Sequence, residues 1–329
     1  MRALLPLMLL LAALVLAALG ALFVGLAPLP PSAVLRALAS SQPDLAGLVV
    51  REIRLPRVIL ALLVGAILGL SGAVLQGLLR NPLAEPGLLG ISAGAALGAV
   101  LAIYYGFAAS FAFATPLFAL TGAGIAAAAV LALARGGGTL ALILAGAAIS
   151  STAFALVYLA LDLAPNPYAT SEMLDWLMGS LAERSWDHVR LAAPFILAGG
   201  ALLLLTAPGL DALALGELQA ESLGVPVARL RLLALAGTAL GVGAAAAVAG
   251  TIGFVGLVAP HLVRPLVGHR PARVLLPAAL AGALLVLVAD TATRLIVTPG
   301  PPLGLGVLIS LVGAPFFLWL VLRMRGRAA

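Results

Sequence analysis

The stretch Gly90-Ile-Ser-Ala-Gly94 has the G-x-S-x-G spacing of a hydrolase nucleophile elbow. In that motif the serine lies on a sharp turn between a strand and a helix, and a histidine reaches its hydroxyl group. Here the stretch opens an apolar segment rich in small residues, which is typical of a packed membrane helix. His261 and His269 lie beside arginines near the ends of apolar runs, where a loop or interface role is expected. A membrane serine hydrolase acting through Ser92 is therefore a remote alternative.

The residue types present exclude several other chemistries. The 329 residues include no cysteine and only three histidines, so no metal site is expected. All 18 cations are arginines, which leaves no lysine for a phosphate-binding P-loop or a Schiff base. The chain is therefore not expected to be an enzyme. Its net charge of +6 comes from arginines in short loops between apolar runs, which indicates membrane orientation and not nucleic-acid binding.

The 12 carboxylates are all expected in loops or near the ends of apolar runs. An ion-coupled carrier usually holds a carboxylate near the middle of the membrane, because a proton or cation site needs one there. An ion-coupled secondary transporter is therefore the alternative interpretation, and the energy for any transport is expected to come from another chain.

Three arginines are concentrated in the stretch Arg51-Glu-Ile-Arg-Leu-Pro-Arg57, directly before an apolar run. A fourth closes the stretch Asp290-Thr-Ala-Thr-Arg294 at the end of another run. One interpretation is that these side chains reach lipid headgroups, while Asp290 and Arg294 pair at the i, i+4 spacing. The other is a cationic rim that receives an acidic protein partner.

The elements that position these residues are apolar runs close to the roughly 20 residues that a membrane-crossing helix needs. Apolar residues make up 63% of the chain and the mean hydropathy is +1.21, whereas soluble proteins are roughly 45 to 50% apolar. The sequence predicts an all-α, polytopic membrane protein with a single domain over residues 1–329 and about ten transmembrane helices. The runs cover about residues 3–29, 58–79, 87–107, 112–134, 139–161, 191–207, 232–249, 252–263, 274–296 and 303–322.

The eighth run is too short to cross a membrane unaided and starts in Gly250-Thr-Ile-Gly253, which predicts a half-length helix buried in protein. Glycine rows in other runs predict close contacts between helix backbones. These rows are Gly65 and Gly69; Gly90, Gly94 and Gly98; and Gly237 and Gly241.

Ten crossings place both termini on one side of the membrane. The C-terminal arginines, from Arg323 to Arg327, favour the cytoplasm for that side. Eleven of the 18 arginines then lie inside and seven outside, where eight carboxylates accompany them. The arginines of residues 51–57 are an exception to the usual charge bias, because they lie outside.

Two segments outside the membrane are predicted to be helical. Residues 208–226, on the inner side, contain two short pieces punctuated by glycines. Glu217 and Glu221 share one face there, and an acidic amphipathic helix fits a protein partner better than an anionic membrane. On the outer side, residues 170–188 are expected to form a surface helix whose tryptophans lie at the membrane interface.

Seven motifs occur in order from the second apolar run to the last. They are Arg54-Leu-Pro-Arg57, Gly72-Ala-Val-Leu-Gln76, Asn81-Pro-Leu-Ala-Glu-Pro-Gly87, Leu89-Gly-Ile-Ser92 with Gly94, Gly253-Phe-Val-Gly-Leu-Val-Ala-Pro-His261, Ala289-Asp290 with Arg294, and Gly313-Ala-Pro-Phe316. Together they resemble the FecCD or BtuC-type permeases, the membrane subunits of bacterial ABC importers for iron-siderophores, haem and cobalamin. Each motif alone is weak, but the ordered combination is specific.

The resemblance implies a homodimer of ten-helix subunits in the bacterial inner membrane, with both termini in the cytoplasm and a path between the subunits. Two ATP-binding cassette subunits would lie on the cytoplasmic side and a two-lobed substrate-binding protein on the periplasmic side. ATP and Mg²⁺ would belong to the ATPase, so this chain would bind no cofactor. Its other partner would be membrane lipid.

The resemblance also implies roles for particular residues. The outer arginines would dock the binding protein: Arg54, Arg57 and Arg294, with Arg51 as an additional cation. The loop at residues 208–226, called the coupling loop below, would seat in the ATPase through Leu210, Asp211, Leu215, Gly216, Glu217, Glu221 and Leu223. The inner gate would be Asn81, Leu83 and Thr139. Residues facing the path would be Ser150, Ser151 and Thr152. The cargo implied is an iron chelate, siderophore or haem, ahead of cobalamin.

Overall fold

The structure is a computed structural model that describes residues 4–25, 27–39, 44–135, 137–296 and 303–325. Every regular element in these ranges is a helix, which confirms the all-α class. Arg2 and Arg327, which support the expected orientation, lie outside the described residues. The α-helices are α1 (Leu4–Phe23), α2 (Pro31–Ala39), α3 (Leu45–Leu48), α4 (Leu55–Leu78), α5 (Ile91–Tyr104), α6 (Phe107–Ser110), α7 (Ala114–Leu133), α8 (Thr139–Asp162), α9 (Pro167–Met178), α10 (Trp186–Leu204), α11 (Ala207–Leu213), α12 (Glu217–Ser222), α13 (Val227–Ala249), α14 (Val255–Val267), α15 (Pro271–Leu295) and α16 (Leu305–Arg325).

Each of the ten apolar runs coincides with one of these helices. Seven helical segments in the described part of the chain are long and apolar enough to cross a membrane: α1, the continuous segment Leu45–Leu78, α7, α8, α10, α13 and α15. Three further apolar helices are shorter, namely α5, α14 and the apolar part of α16. Helix α14 has 13 residues, so it is about 20 Å long against a hydrocarbon core of about 30 Å. It is the short helix predicted for the eighth run.

The stretch Arg51–Arg57 lies within a helix, so the expectation that it precedes one is wrong. Helical structure is continuous over Leu45–Leu78, and Val49–Arg54 is a π-helix in which the N–H of Leu55 donates to the carbonyl of Val50. Pro56 has no N–H and its ring crowds the preceding turn, which the wider π-turn accommodates. The helix therefore continues through the arginines.

The surface helix expected at residues 170–188 is shorter than predicted. Helix α9 begins after Asn166, whose side chain accepts the N–H of Ala169. It ends at Met178 because Gly179 adopts a positive φ of 70°. Trp186 instead begins α10, the helix of the sixth apolar run. This helix therefore starts five residues before residue 191 and includes the last residues of the predicted surface helix.

The centre of the bundle is a backbone contact of α4 with α14 and α15. A Cβ atom on Gly65 would overlap the carbonyl oxygen of Gly282, and one on Gly72 would overlap that of Gly256. The predicted close packing is confirmed for this row and for Gly94 and Gly98, which meet α7 in the same way. Side chains are excluded at these points, so each helix fixes the height and rotation of its neighbour.

Two connections between helices reach into this bundle, and one of them contains the 3₁₀-helix Pro86–Leu89. Residues 79–90 connect α4 to α5, and residues 250–254 connect α13 to α14. Because α5 and α14 are both short, these segments reach below the surface of the bundle, where their polar groups need partners. One is supplied by Glu85, whose carboxylate accepts the N–H of Phe254 at 3.1 Å. Glu85 lies in a loop, as expected of the carboxylates, but this loop reaches into the bundle.

Replacing Gly72 by alanine is expected to lower the free energy of unfolding by about 1–3 kcal/mol, because the added methyl group would force α4 away from α14. The change is measured as a lower melting temperature of the purified protein. Gly124→Ala is the matched control, since nothing lies within 4 Å of a Cβ atom at that helical position. Equal melting temperatures for the two variants would contradict the close contact.

Candidate functional site

One end of the bundle holds a cluster of four charged residues, the arginine cluster: Arg54, Arg57, Asp290 and Arg294. Asp290 is fully buried, and Arg57 binds it from α4 with Nε 3.0 Å from both carboxylate oxygens and Nη2 2.8 Å from Oδ1. Arg294 binds the same carboxylate at 3.3 Å, which confirms the i, i+4 pair. The cluster therefore joins α4 to α15 through one shared carboxylate.

Two of these arginines also hold the end of α1. Arg54 donates to the carbonyls of Leu22 and Ala27 at 2.7 and 2.6 Å. Arg294 donates to those of Ala21 and Val24 at 3.0 and 2.8 Å. Leu22 and Ala21 lie in the last turn of α1, whose carbonyls carry partial negative charge that guanidinium groups stabilise, and the carbonyls of Val24 and Ala27 follow the helix. No sequence signal marked this contact, because carbonyl groups are common to all residues.

The structure thus brings together three of the four arginines expected at the docking surface. Arg54 and Arg294 are 3% and 9% exposed, whereas the side chain of Arg57 is 16% exposed. The cluster contains three arginines and one carboxylate, which Arg57 and Arg294 share while Arg54 binds backbone carbonyls, so it keeps a net positive charge. Arg51 lies three residues before Arg54, and its carbonyl accepts the indole N–H of Trp186 at 3.0 Å.

The coupling loop forms the two short helices α11 and α12, as predicted, and it is tied to three long helices. Leu210 is buried and packs near Gly77 of α4. Asp211 forms a salt bridge with Arg270 at 2.8 Å and accepts the N–H of Ala272 at the start of α15. Glu217 forms a salt bridge with Arg231 of α13 at 2.6 Å. The loop therefore cannot move without these helices.

The exposed surface of the coupling loop is more apolar than predicted. Glu217 is turned toward Arg231, so its charge is balanced within the chain, and only Glu221 of the two carboxylates is exposed. Around Glu221 lie three leucines that are 64–75% exposed: Leu215, Leu218 and Leu223. Between the two helices, Gly216 is buried with a φ of 122°, a backbone conformation that favours glycine. The surface thus combines apolar side chains with one carboxylate.

Residues 80–90, called the gate loop below, contain two of the predicted gate residues. The Asn81 side chain accepts the N–H of Leu83 at 2.9 Å, which closes a local turn. Two other helices hold the loop: Ser150 of α8 donates to the carbonyl of Gly87 at 3.1 Å, and α14 is bound through Glu85. Thr139 begins α8 and is partly exposed, and within the described residues its side chain makes no hydrogen bond to the loop.

The outward surface of helix α8 carries three hydroxyl-bearing side chains among exposed apolar ones such as Leu144 and Leu159. Ser151 and Thr152 are exposed in the middle of this 24-residue helix, and Tyr158 is 66% exposed one to two turns further on. The hydroxyl group of Thr152 donates to the carbonyl of Ala148 at 2.9 Å. Ser150 differs from its neighbours, because it is half-buried and bound to the gate loop. The Thr152 hydroxyl group is thus satisfied within its own helix, and the surface of α8 is mainly apolar with a few hydroxyl groups.

The arrangement around Ser92 does not form a nucleophile elbow. The residues before it form a 3₁₀-helix, Pro86–Leu89, and not a strand, and Gly90 makes the turn into α5 with a φ of 76°. Within the described residues no histidine is hydrogen-bonded to Ser92: His261 contacts the carbonyl of Leu257, and His188 contacts Ser185. The described residues also contain no group of three or more His, Asp or Glu side chains that could hold a metal ion.

A cationic cluster at one end of a helical membrane bundle, an anchored two-helix loop and hydroxyl groups on the surface of α8 define the organisation of a transport permease. The chain belongs to the FecCD transport family, which matches residues 10–323.

Its relatives include the hemin transport system permease protein HmuU of Yersinia pestis, 46% identical over 83% of each chain. The Fe(3+) dicitrate transport system permease protein FecD of Escherichia coli is 41% identical, with 84% of this chain and 86% of that protein covered. The cobalamin import system permease protein BtuC of Halobacterium salinarum is 42% identical, with 85% and 74% covered. A solved inward-facing structure of a metal-chelate type ABC transporter is similar with a TM-score of 0.85 and 33% identity, covering 95% of this chain and 97% of that chain.

Replacing Asp290 by asparagine is expected to destabilise the protein by about 3–5 kcal/mol, because Arg57 and Arg294 would keep their charges without the buried counter-ion. The melting temperature of the purified protein measures the loss. Asp187→Asn is the matched control, since Asp187 pairs with Arg190 where both side chains are exposed, and such pairs contribute little. An Asp290 variant as stable as this control would contradict the structural role of the cluster.

Proposed function

We propose that this chain is the translocating subunit of an importer that carries a large metal chelate, haem or an iron-siderophore ahead of cobalamin. As a FecCD permease it works with a separate ATPase and a substrate-binding protein. The observation that supports a large metal chelate is the set of relatives, which includes hemin, iron-citrate and cobalamin permeases at similar identity. The order within that class is part of the proposal. Transport would be driven by ATP hydrolysis in the partner.

The proposed assembly is a homodimer in a bacterial inner membrane, with ten crossings per subunit and both termini in the cytoplasm. The excess of arginines on the coupling-loop side supports this orientation. The arginine cluster then faces the periplasm and would dock the binding protein, while the coupling loop faces two ATPase subunits. ATP and Mg²⁺ belong to those subunits, and no cofactor is assigned to this chain.

The path is proposed to lie between the hydroxyl-bearing surfaces of α8 in the two subunits. Its inner end would be closed by Asn81 and Leu83 of the gate loop together with Thr139 at the start of α8. Hydroxyl groups and small residues suit a wide conduit that must not hold its cargo tightly. The hydrogen bond from Ser150 to Gly87 supports this arrangement, because it ties the gate loop to the helix that would line the path.

Movement of the ATPase would reach the path through the anchors of the coupling loop. Asp211 holds the start of α15, Leu210 contacts α4 and Glu217 holds α13. Since α4 and α15 meet through backbone, a displacement of the loop would move them as one body. The contact surface offered to the ATPase would be the three exposed leucines and Glu221.

ATP-dependent uptake tests the proposed function. The chain is reconstituted into proteoliposomes with its ATPase and binding protein, and haem or an iron-siderophore is added outside. Uptake is expected only with ATP, and a proton gradient without ATP is expected to drive none. Gradient-driven uptake by the chain alone would favour an ion-coupled carrier, for which the partly buried Glu85 is the candidate carboxylate.

Replacing Glu217 and Glu221 together by alanine is expected to lower the cargo imported per ATP hydrolysed by roughly fivefold or more. The change releases the loop from Arg231 and removes its exposed carboxylate. Uptake and phosphate release are measured on the same proteoliposomes. The double variant Glu172→Ala/Asp175→Ala, at exposed positions of α9, is the control and should keep the wild-type ratio. An unchanged ratio in the first variant would refute the coupling role.

Replacing Arg57 by glutamine is expected to lower the affinity of the binding protein for this chain roughly tenfold and to reduce the salt dependence of that affinity. Arg57 is chosen because the other two arginines of the cluster also hold α1. Affinity is measured in nanodiscs at about 50 and 300 mM salt, with Arg190→Gln, an exposed arginine of α10, as the control. An affinity equal to that of the control at both salt concentrations would exclude Arg57 from docking.

A further inference from the structure

A cavity of about 290 Å³ lies between the ends of α4 and α14 and the start of α15. Its polar lining consists of Gln76, Arg80, Arg264 and His269, and Ala214 of the coupling loop closes one side. Three of these four polar side chains are basic and none is acidic. Within the described residues, none of the three basic side chains forms a salt bridge. The cavity therefore has an excess of positive charge.

Arg264 is directed into the bundle. Its Nη2 donates to Oε1 of Gln76 at 2.6 Å, and the buried Gln76 donates in turn to the carbonyl of Gly256 at 3.2 Å. The glutamine side chain is neutral, so it fixes the guanidinium group without balancing its charge. A partly buried cation without a counter-ion costs free energy, which an anion in the cavity would offset.

Arg80 occupies a position where the backbone favours glycine. The N–H of Arg80 donates to the carbonyl of Gly77, and the N–H of Asn81 donates to that of Gln76, which is the Schellman pattern at the end of a helix. The residue between these two bonds must be left-handed, and Arg80 has a φ of 47°. An arginine at this position costs stability that glycine would not. Its side chain lines the cavity.

The carboxylate of Asp211 lies nearby but already has two partners. Asp211 precedes Ala214 on the coupling loop, but it is bound to Arg270 and to the N–H of Ala272 and does not line the cavity. Arginines that only orient a membrane protein extend from its surface. Arg229, exposed near the start of α13, is of that kind. Arg264 differs, because its guanidinium group is held against a buried side chain.

We propose that this cavity binds a phosphate group, supplied either by inorganic phosphate or by the headgroup of an anionic phospholipid. Guanidinium groups bind phosphate through paired N–H donors, and basic pockets between membrane helices hold anionic headgroups. The bound phosphate bridges Arg80, at the start of the gate loop, and Arg264 of α14. The ligand therefore holds the gate loop against the short helix. Binding is a property of this chain and requires neither cargo nor ATPase.

The test uses the whole chain in nanodiscs and measures its melting temperature. One arm titrates inorganic phosphate into neutral phosphatidylcholine nanodiscs, with chloride at equal ionic strength as the reference. The other arm replaces about one fifth of the lipid by phosphatidylglycerol, an anionic lipid. The melting temperature is expected to rise by several degrees in at least one arm. A rise with phosphate identifies a free anion, and a rise with phosphatidylglycerol alone identifies a headgroup.

Two variants separate binding from folding. In the Arg264→Gln variant the ligand is expected to give no rise in melting temperature, but this change also breaks the contact with Gln76. Arg80→Gly relieves the left-handed backbone, so without ligand it should melt no lower than the wild type and yet lose most of the rise. Arg229→Gln, outside the cavity, should keep the full rise.

Three results would overturn the proposal. The first is no rise in either arm for the wild type. The second is an equal loss of the rise in the Arg229 variant, which would indicate diffuse surface charge. The third is an unchanged rise in both cavity variants, which would place the phosphate outside this cavity.

Discussion

The other features depend on one constraint: α4 contacts α14 and α15 through backbone atoms at glycines, with no side chains between them. Gly65 meets Gly282 and Gly72 meets Gly256 so closely that a single methyl group has no room at either point. Lipid supplies no hydrophobic force between helices, so association relies on close van der Waals contact and hydrogen bonds. With the helices held in this register, Arg57 reaches Asp290 at one end and Leu210 reaches Gly77 at the other. A wider spacing would separate both pairs of groups.

The two ends of the protein are consequently joined by one helix. The first turn of α15 is capped by Asp211 of the coupling loop, and its last turns carry Asp290 and Arg294. The same helix therefore touches the surface proposed for the ATPase and the surface proposed for the binding protein. Packed helices of this kind move as rigid bodies and do not bend progressively. Binding of a partner at one end of α15 could thus alter the surface at the other end without any contact between the two partners.

Features that depend on one segment of sequence could be predicted, whereas features that depend on distant pairs could not. Apolar runs located the long helices, glycine rows located the backbone contacts, and Gly250-Thr-Ile-Gly253 marked the short helix α14. The bond from Arg57 to Asp290 joins residues 233 positions apart, so only the i, i+4 part of the arginine cluster could be inferred. Glu217 was read as exposed because its partner Arg231 lies on the next long helix. Glu85 was expected in a loop or near the end of an apolar run, and nothing local in the sequence indicates that this loop returns into the bundle.

The attachment of α1 has a consequence for the order in which the protein is assembled. Its terminal carbonyls are bound by Arg294, which is synthesised 270 residues after Val24. At about 5–20 residues per second, the ribosome needs roughly 15 to 50 seconds to bridge that interval. Arg54, only about 30 residues beyond this end of α1, can bind its carbonyls early, whereas the bonds from Arg294 must wait until most of the later helices have been made. The contact of α1 with α15 is therefore among the last of its contacts to form.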